Sequence, residues 1–325
     1  MTLNLMLTSR NAVYLSGDFR LTQINTGKFT DNLDTQKLIP VIRFGWGALI
    51  AYTGIANAPA PFHDTGDWVS AQMDSIPMRG SIDELPKRLL TADAWLTKIS
   101  GDNRLAFSIV GFLGRKPFMM LVSNFLDLEG HMTDARSHLE VFRLKPKQPE
   151  VRIAGDINAV TAADKEYLKL LLQQNADHEV IRKNLALVNT KASQRSALIS
   201  QECVIGYIIP SGEAQISPYG IGDHVLYMPK FVIRDFKKDG IVGFVPKIDE
   251  QGNPLLPGWV GMTARIQGGQ NRDAIVGVIH ALRNVSEPVS NGVYRKGHST
   301  FWKIAGPNEP DSYTFTVNHP PRKRK

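Results

Sequence analysis

Met1-Thr2-Leu3-Asn4-Leu5-Met6-Leu7-Thr8, then Ser9-Arg10-Asn11, then Ala12-Val13-Tyr14-Leu15-Ser16-Gly17-Asp18-Phe19-Arg20, is the stretch whose reading decides the fold. Two apolar runs flank a short polar turn, which is the pattern of a β-hairpin. A hairpin of that length returns Asp18 to the start of the first strand. Removal of the initiator Met would leave Thr2 with a free α-amino group. The reference pKa of such a group, roughly 7.7–8.0, leaves an appreciable neutral fraction at neutral pH. A hydroxyl and a base on one residue make a nucleophile that needs no separate histidine.

Working outward, a polar loop from Leu21 to Gln36 leads into Lys37-Leu38-Ile39-Pro40-Val41-Ile42. A further strand, Ala48-Leu49-Ile50-Ala51-Tyr52, runs into Thr53-Gly54-Ile55-Ala56. This opening resembles that of proteasome β-subunits and their simpler bacterial relatives among the N-terminal-nucleophile (Ntn) hydrolases. In that family an acid follows the mature N-terminal Thr by sixteen positions, often with an Arg two further on; Thr2, Asp18 and Arg20 have this spacing. Lys37 before Leu38 matches the family's Lys, after a slightly longer loop, and Thr53-Gly54 resembles its oxyanion-hole turn. The resemblance covers roughly the first two thirds of the chain and is strongest over residues 2–56.

The resemblance implies an α+β fold, a four-layer αββα Ntn-hydrolase sandwich, and a threonine-type hydrolase acting on a peptide or amide substrate. Its implied catalytic set is Thr2 as nucleophile, Lys37 as neighbouring cation, Asp18 holding Lys37 by a hydrogen bond, and the Gly54 N–H facing the oxyanion. No cofactor is implied, and a homo-oligomer, a ring included, is. The family also carries an Asp and a Ser near the end of a late helix, and a Ser in an earlier Gly-rich turn. Here the late segment, Ser193-Gln194-Arg195-Ser196-Ala197-Leu198-Ile199-Ser200, has no Asp, so Ser196 or Ser200 is the candidate substitute. Thr133 in Glu129-Gly130-His131-Met132-Thr133 stands where the earlier Ser is sought. These departures keep two rivals open: a catalytically inactive assembly or binding protein of the same fold, and an amidase for small molecules.

With 325 residues, 42% of them hydrophobic, the chain can bury one large core or two ordinary ones. It lacks an apolar run of about 18 residues, so no membrane partner is expected. The N-terminus lacks the basic start and small-residue cleavage site of a secretory signal, and a soluble, cytoplasmic protein is the expectation. One cysteine, Cys203, cannot form an internal disulfide, and its apolar run Cys203-Val204-Ile205-Gly206-Tyr207 predicts a buried thiol. The net charge of +7 includes the tail Pro320-Pro321-Arg322-Lys323-Arg324-Lys325, which reads as a solvated end. With no zinc-finger spacing and no recognition helix, nucleic acid is not an expected partner.

Local patterns supply the rest of the order. A helix is expected near Asp67–Met73. Ser81-Ile82-Asp83-Glu84 has the capping-box spacing and predicts a helix running towards Leu96, with Pro86 in its first turn. Leu105–Phe112 and Pro117–Val122 read as a hairpin. Thr161 and Asp164 predict a capped helix start, a second helix runs from Glu179 to about Gln194, and the Cys203 strand ends in a turn at Ser211-Gly212. Continuously apolar strands fit sheets covered on both faces. The division expected is residues 2–217 as the hydrolase domain and 218–325 as a β-rich extension of unknown role. In the latter, His224–Met228 and Ala274–Ile279 read as strands. Gly268-Gly269 lacks the Lys-Ser/Thr of a phosphate loop, and Gly297-His298-Ser299 lacks a nucleophile elbow.

Overall fold

The computed structural model describes residues 3–22, 29–31, 37–43, 45–62, 64–77, 79–99, 101–144, 146, 149–210, 214–220, 232–233, 241–248, 254–267, 293–296, 300–303 and 312–318. Residues 1–2, the turn at 211–212, the expected strands at 224–228 and 274–279, the 268–269 and 297–299 motifs and the basic tail lie outside them.

The chain is a mixed α+β protein. It opens with β1 (Leu3–Thr8) and β2 (Val13–Asp18), followed by the short pair β3 (Arg20–Thr22) and β4 (Phe29–Asp31). Next come β5 (Leu38–Arg43) and β6 (Trp46–Gly54), then α1 (Thr65–Asp74), α2 (Glu84–Leu90) and α3 (Asp93–Leu96). The strands β7 (Leu105–Leu113), β8 (Lys116–Ser123), β9 (Glu140–Leu144) and β10 (Glu150–Gly155) lead to α4 (Ala162–Gln173) and α5 (His178–Arg195). Then follow β11 (Cys203–Ile208), β12 (Ala214–Tyr219) and the two-residue β13 (Val232–Ile233).

One antiparallel sheet has the order β10-β1-β2-β11-β12. The other has the order β13-β5-β6-β7-β8-β9 and is antiparallel apart from β13, which runs parallel to β5. β1 shows why both faces of the first sheet are dry. Successive side chains of a strand point to opposite faces. Leu3, Leu5 and Leu7 join an apolar cluster with Leu168, Leu172, Leu185 and Val188 of α4 and α5. Met6 joins a different cluster, with Leu15 of β2, Leu49 of β6, Val110 of β7 and Val204 of β11, so the two sheets meet there. A third cluster packs Ile50 and Phe107 of the second sheet against Trp68, Met73, Leu85 and Leu96 of α1 to α3. Between the sheets, buried Asn4 on β1 donates from Nδ2 to Ser108 Oγ on β7 at 3.1 Å.

Most local expectations are met. Thr161 and Asp164 form a reciprocal capping box at α4, β7 and β8 pair about a Gly114–Arg115 turn, and Cys203 is fully buried. Ser81 departs from expectation. Its hydroxyl accepts the Asp83 N–H at 3.2 Å instead of capping from the N-cap position, and the expected helix is split into α2 and α3. A serine can satisfy a neighbouring backbone group in its own turn as readily as it caps a helix. At the expected domain limit, β12 continues past residue 217, pairing Pro218 with Val204 and Tyr219 with Cys203. Beyond it, β14 (Ile241–Ile248), β15 (Pro254–Gln267), β16 (Val293–Lys296), β17 (Thr300–Lys303) and β18 (Ser312–Asn318) make a third sheet, order β14-β15-β18-β17-β16. Among the described residues, no helix is long and apolar enough to cross a membrane.

Candidate active site

The antiparallel register gathers several chain ends at one edge of the first sheet. β1 begins at Leu3 beside Gly155, the last residue of β10. β2 ends at Asp18, opposite Cys203, the first residue of β11. Asp18 is fully buried there. Its Oδ2 accepts the Leu3 N–H at 2.6 Å and its Oδ1 accepts the Arg20 N–H at 2.7 Å. The backbone immediately after residue 2 is therefore pinned to the Asp18 carboxylate. Thr2 itself lies outside the described residues.

Lys37 precedes β5 and is 1% exposed. A Cβ built on Gly17 would lie 3.8 Å from Lys37 Cβ and 3.6 Å from Ala51 Cβ, which places the Lys37 backbone against the end of β2. The ammonium sits 4.6 Å from the centre of the Tyr52 ring and, among the described residues, has no hydrogen-bond partner. Asp18 and the α1 N-cap Asp64 act on it as charges. Burial pushes the Lys37 ammonium below its usual range, against the pull of Asp18 and Asp64. Burial likewise pushes the Asp18 carboxyl up, opposed by Lys37 and by the two backbone donors. The expected Asp18–Lys37 hydrogen bond is absent, because backbone N–H groups take the carboxylate oxygens and Lys37 lies over an aromatic face. The ammonium is held by charge and ring contact.

Gly54 ends β6 at φ +101°, and a Cβ there would fall 2.0 Å from the Arg104 carbonyl oxygen. Both backbone conformation and space demand glycine. Ser196 caps the C-terminus of α5, and its Oγ donates to Asp156 Oδ2 at 2.6 Å. Ser200 is fully buried, and its Oγ donates to Glu202 Oε2 at 2.5 Å. Thr133 is turned to its own loop, donating to the Phe125 carbonyl at 3.1 Å. Arg20 reaches the segment after α5, donating from Nη1 to the Ala197 carbonyl at 2.9 Å.

Sequence reasoning overlooked Asp64, Asp156 and Glu202. Asp156 had a local signal, since it follows Gly155 at a strand end. Its partner lies 40 residues away.

No protein-family model matches the sequence, and no curated protein is detectably similar to it. Among solved structures, the chain is similar to an Anbu (Gly-1) mutant from Hyphomicrobium sp. strain MC1, at 8% identity and a TM-score of 0.48, over 69% of this chain and 90% of that one. It is similar to Anbu from the same strain at 9% identity and a TM-score of 0.44, over 68% and 89% of the two chains. It is also similar to Anbu, described as an ancestral beta-subunit, from Yersinia bercovieri, at 9% identity and a TM-score of 0.45, over 66% and 86%.

Proposed function

We propose that this chain is a threonine-type Ntn amide or peptide hydrolase, with Thr2 as nucleophile once Met1 is removed and with its layers stacked as an αββα sandwich. The observation that carries the reading is the 2.6 Å bond from the Leu3 N–H to Asp18, at the sheet edge that also holds Lys37. It fixes the residue after Thr2 against a buried acid that is electrostatically coupled to a buried cation.

In this reading Thr2 Oγ attacks the substrate carbonyl carbon, and its proton passes to the α-amino group, directly or through water. Lys37 puts positive charge beside that amine, which favours its neutral form and stabilises the developing alkoxide. Asp18 keeps Lys37 charged. The Gly54 N–H faces the tetrahedral oxyanion, where loss of one donor typically costs about 10²–10³ in rate. The α-ammonium then protonates the leaving nitrogen as the C–N bond breaks, and water hydrolyses the ester left on Thr2. A homo-oligomer is part of the proposal, as is a role in assembly or access for residues 218–325.

The test is capture of Thr2 by a peptidyl epoxyketone, which bonds to both the hydroxyl and the amine of an N-terminal threonine. The full chain should show a single mass addition mapping to Thr2, and Thr2→Ala should show none. Amide hydrolysis that persists in full in Thr2→Ala would place the nucleophile elsewhere.

A further inference from the structure

A group of polar and aromatic side chains towards the other end of the first sheet takes no part in the reaction above. Tyr14 precedes Asp18 on β2 by four residues, about 13 Å along the strand. It pairs with Tyr207 of β11, and both rings join the apolar cluster under α4 and α5. Tyr14 is 1% exposed, and its hydroxyl meets His178 Nδ1 at 2.6 Å. His178 is the first residue of α5, after the N-cap Asp177. Its ring lies over Tyr207, with 4.4 Å between centres and 15° between planes. Arg182, one turn further on, faces the Tyr207 ring at 5.4 Å, donates to Ser217 Oγ at 2.7 Å and pairs with Glu179. Asn11 of the β1–β2 hairpin donates from Nδ2 to Asn175 Oδ1 at 2.8 Å, just ahead of α5. Hairpin, sheet and helix start are thus fastened together.

Burial pushes the Tyr14 hydroxyl far above its usual range, so it keeps its proton, and a buried donor needs an acceptor. Neutral His178 supplies one at Nδ1. A protonated imidazole has two donors and no acceptor. The Tyr14 oxygen would then have to accept, and its own hydrogen would lose its partner. Among the described residues, the charged and titratable groups around the ring are Tyr14 from β2, Tyr207 from β11, and Asp177, Glu179 and Arg182 from α5, with Tyr219 of β12 beside Arg182 and Glu179. Their charges are close to balanced. Glu179 is paired with Arg182, and the Asp177 carboxylate, which accepts the Glu179 N–H at 2.7 Å, offsets the positive end of the helix dipole. The Tyr14 hydrogen bond is then what distinguishes the two forms of the ring. We propose that His178 is an acid-released latch, which holds the start of α5 to β2 and β11 while its ring is neutral and lets go when the ring gains a proton. The latch is independent of the hydrolase reading.

A free imidazole titrates near 6.5, and a hydrogen bond made only by the neutral ring lowers that midpoint by about one unit. The closed latch therefore binds fewer protons than the open one between the two values, and it weakens as pH falls through about 6.5. The experiment is amide exchange of the full chain, read at Ile181, whose N–H donates to the Asp177 carbonyl at 3.0 Å in the first turn of α5. With intrinsic exchange divided out, protection should fall nearly tenfold from pH 8 to pH 5 in wild type. His178→Gln keeps an acceptor for Tyr14 and cannot titrate, so its protection should stay level. Tyr14→Phe keeps the ring packing and removes the hydroxyl, so the His178 midpoint, followed by NMR, should rise by about one unit. Level protection in wild type overturns the latch, and an equal fall in His178→Gln overturns it by assigning the effect to other groups. Should His178→Gln fail to fold, an unmoved His178 midpoint in Tyr14→Phe overturns it instead.

Discussion

Lys37→Met tests whether Asp18 and Lys37 are a compensated buried pair. Methionine keeps an unbranched chain of similar volume beside Tyr52 and removes the charge. Asp18 then remains fully buried and, among the described residues, keeps its two backbone donors. Burial already pushes this carboxyl up while Lys37 pulls it down, so the variant's folded pKa rises further above the unfolded reference of about 3.9. Each further unit of rise makes ionised Asp18 costlier by about 1.4 kcal/mol. Removing one partner of a buried pair generally costs roughly 3–5 kcal/mol in all. A folded pKa above the unfolded one means that the folded variant binds more protons between the two values. Its stability therefore falls as pH rises from about 4 and levels off above the raised value. At pH 5, taking up the proton costs only about 1.5 kcal/mol. Urea unfolding followed by tryptophan fluorescence should show the gap to wild type widening between pH 5 and pH 8, by about 1 kcal/mol if the Asp18 pKa rises by one unit or more. An equal penalty at both pH values, or none at either, would refute the argument.

Three other outcomes are expected. Gly54→Ala should lose at least about 2 kcal/mol in the same unfolding assay, because alanine meets both the positive φ and the Arg104 carbonyl; unchanged stability would show that the turn relaxes freely. Cys203 should ignore a thiol reagent in the native protein and react fully in denaturant, because burial pushes its thiol far above the usual range; rapid native labelling would contradict its burial. Burial alone would raise the Asp164 carboxyl, but bonds from Thr161, Arg195 and Lys191 hold it down at about 2. Its stabilisation is therefore present above the unfolded pKa and lost as pH falls from about 4 towards 2. Asp164→Asn should flatten acid unfolding in that window, and an unchanged acid limb would exclude Asp164 as its source.

Elements with local causes were legible in the residues themselves. The apolar runs either side of Ser9-Arg10-Asn11 marked β1 and β2, the Thr161–Asp164 spacing marked the start of α4, and the apolar run at Cys203 marked a buried strand. Ser81 shows the limit of such signals, since one hydroxyl serves a cap or a turn equally well and the surrounding chain selects. What the sequence by itself determined was the placing of Asp18 at a strand end, of Lys37 ahead of a strand, and of glycine at position 54. Only the tertiary structure decided that β10 lies beside β1 and β11 beside β2, which set Asp156 and Glu202 at the edge where Asp18 ends. It also decided that Lys37 rests over Tyr52 instead of hydrogen-bonding to Asp18. Strand pairings spanning more than a hundred residues leave no periodicity in the intervening chain. They are selected by which apolar faces close three clusters at once, and the partners of a buried charge follow from that packing.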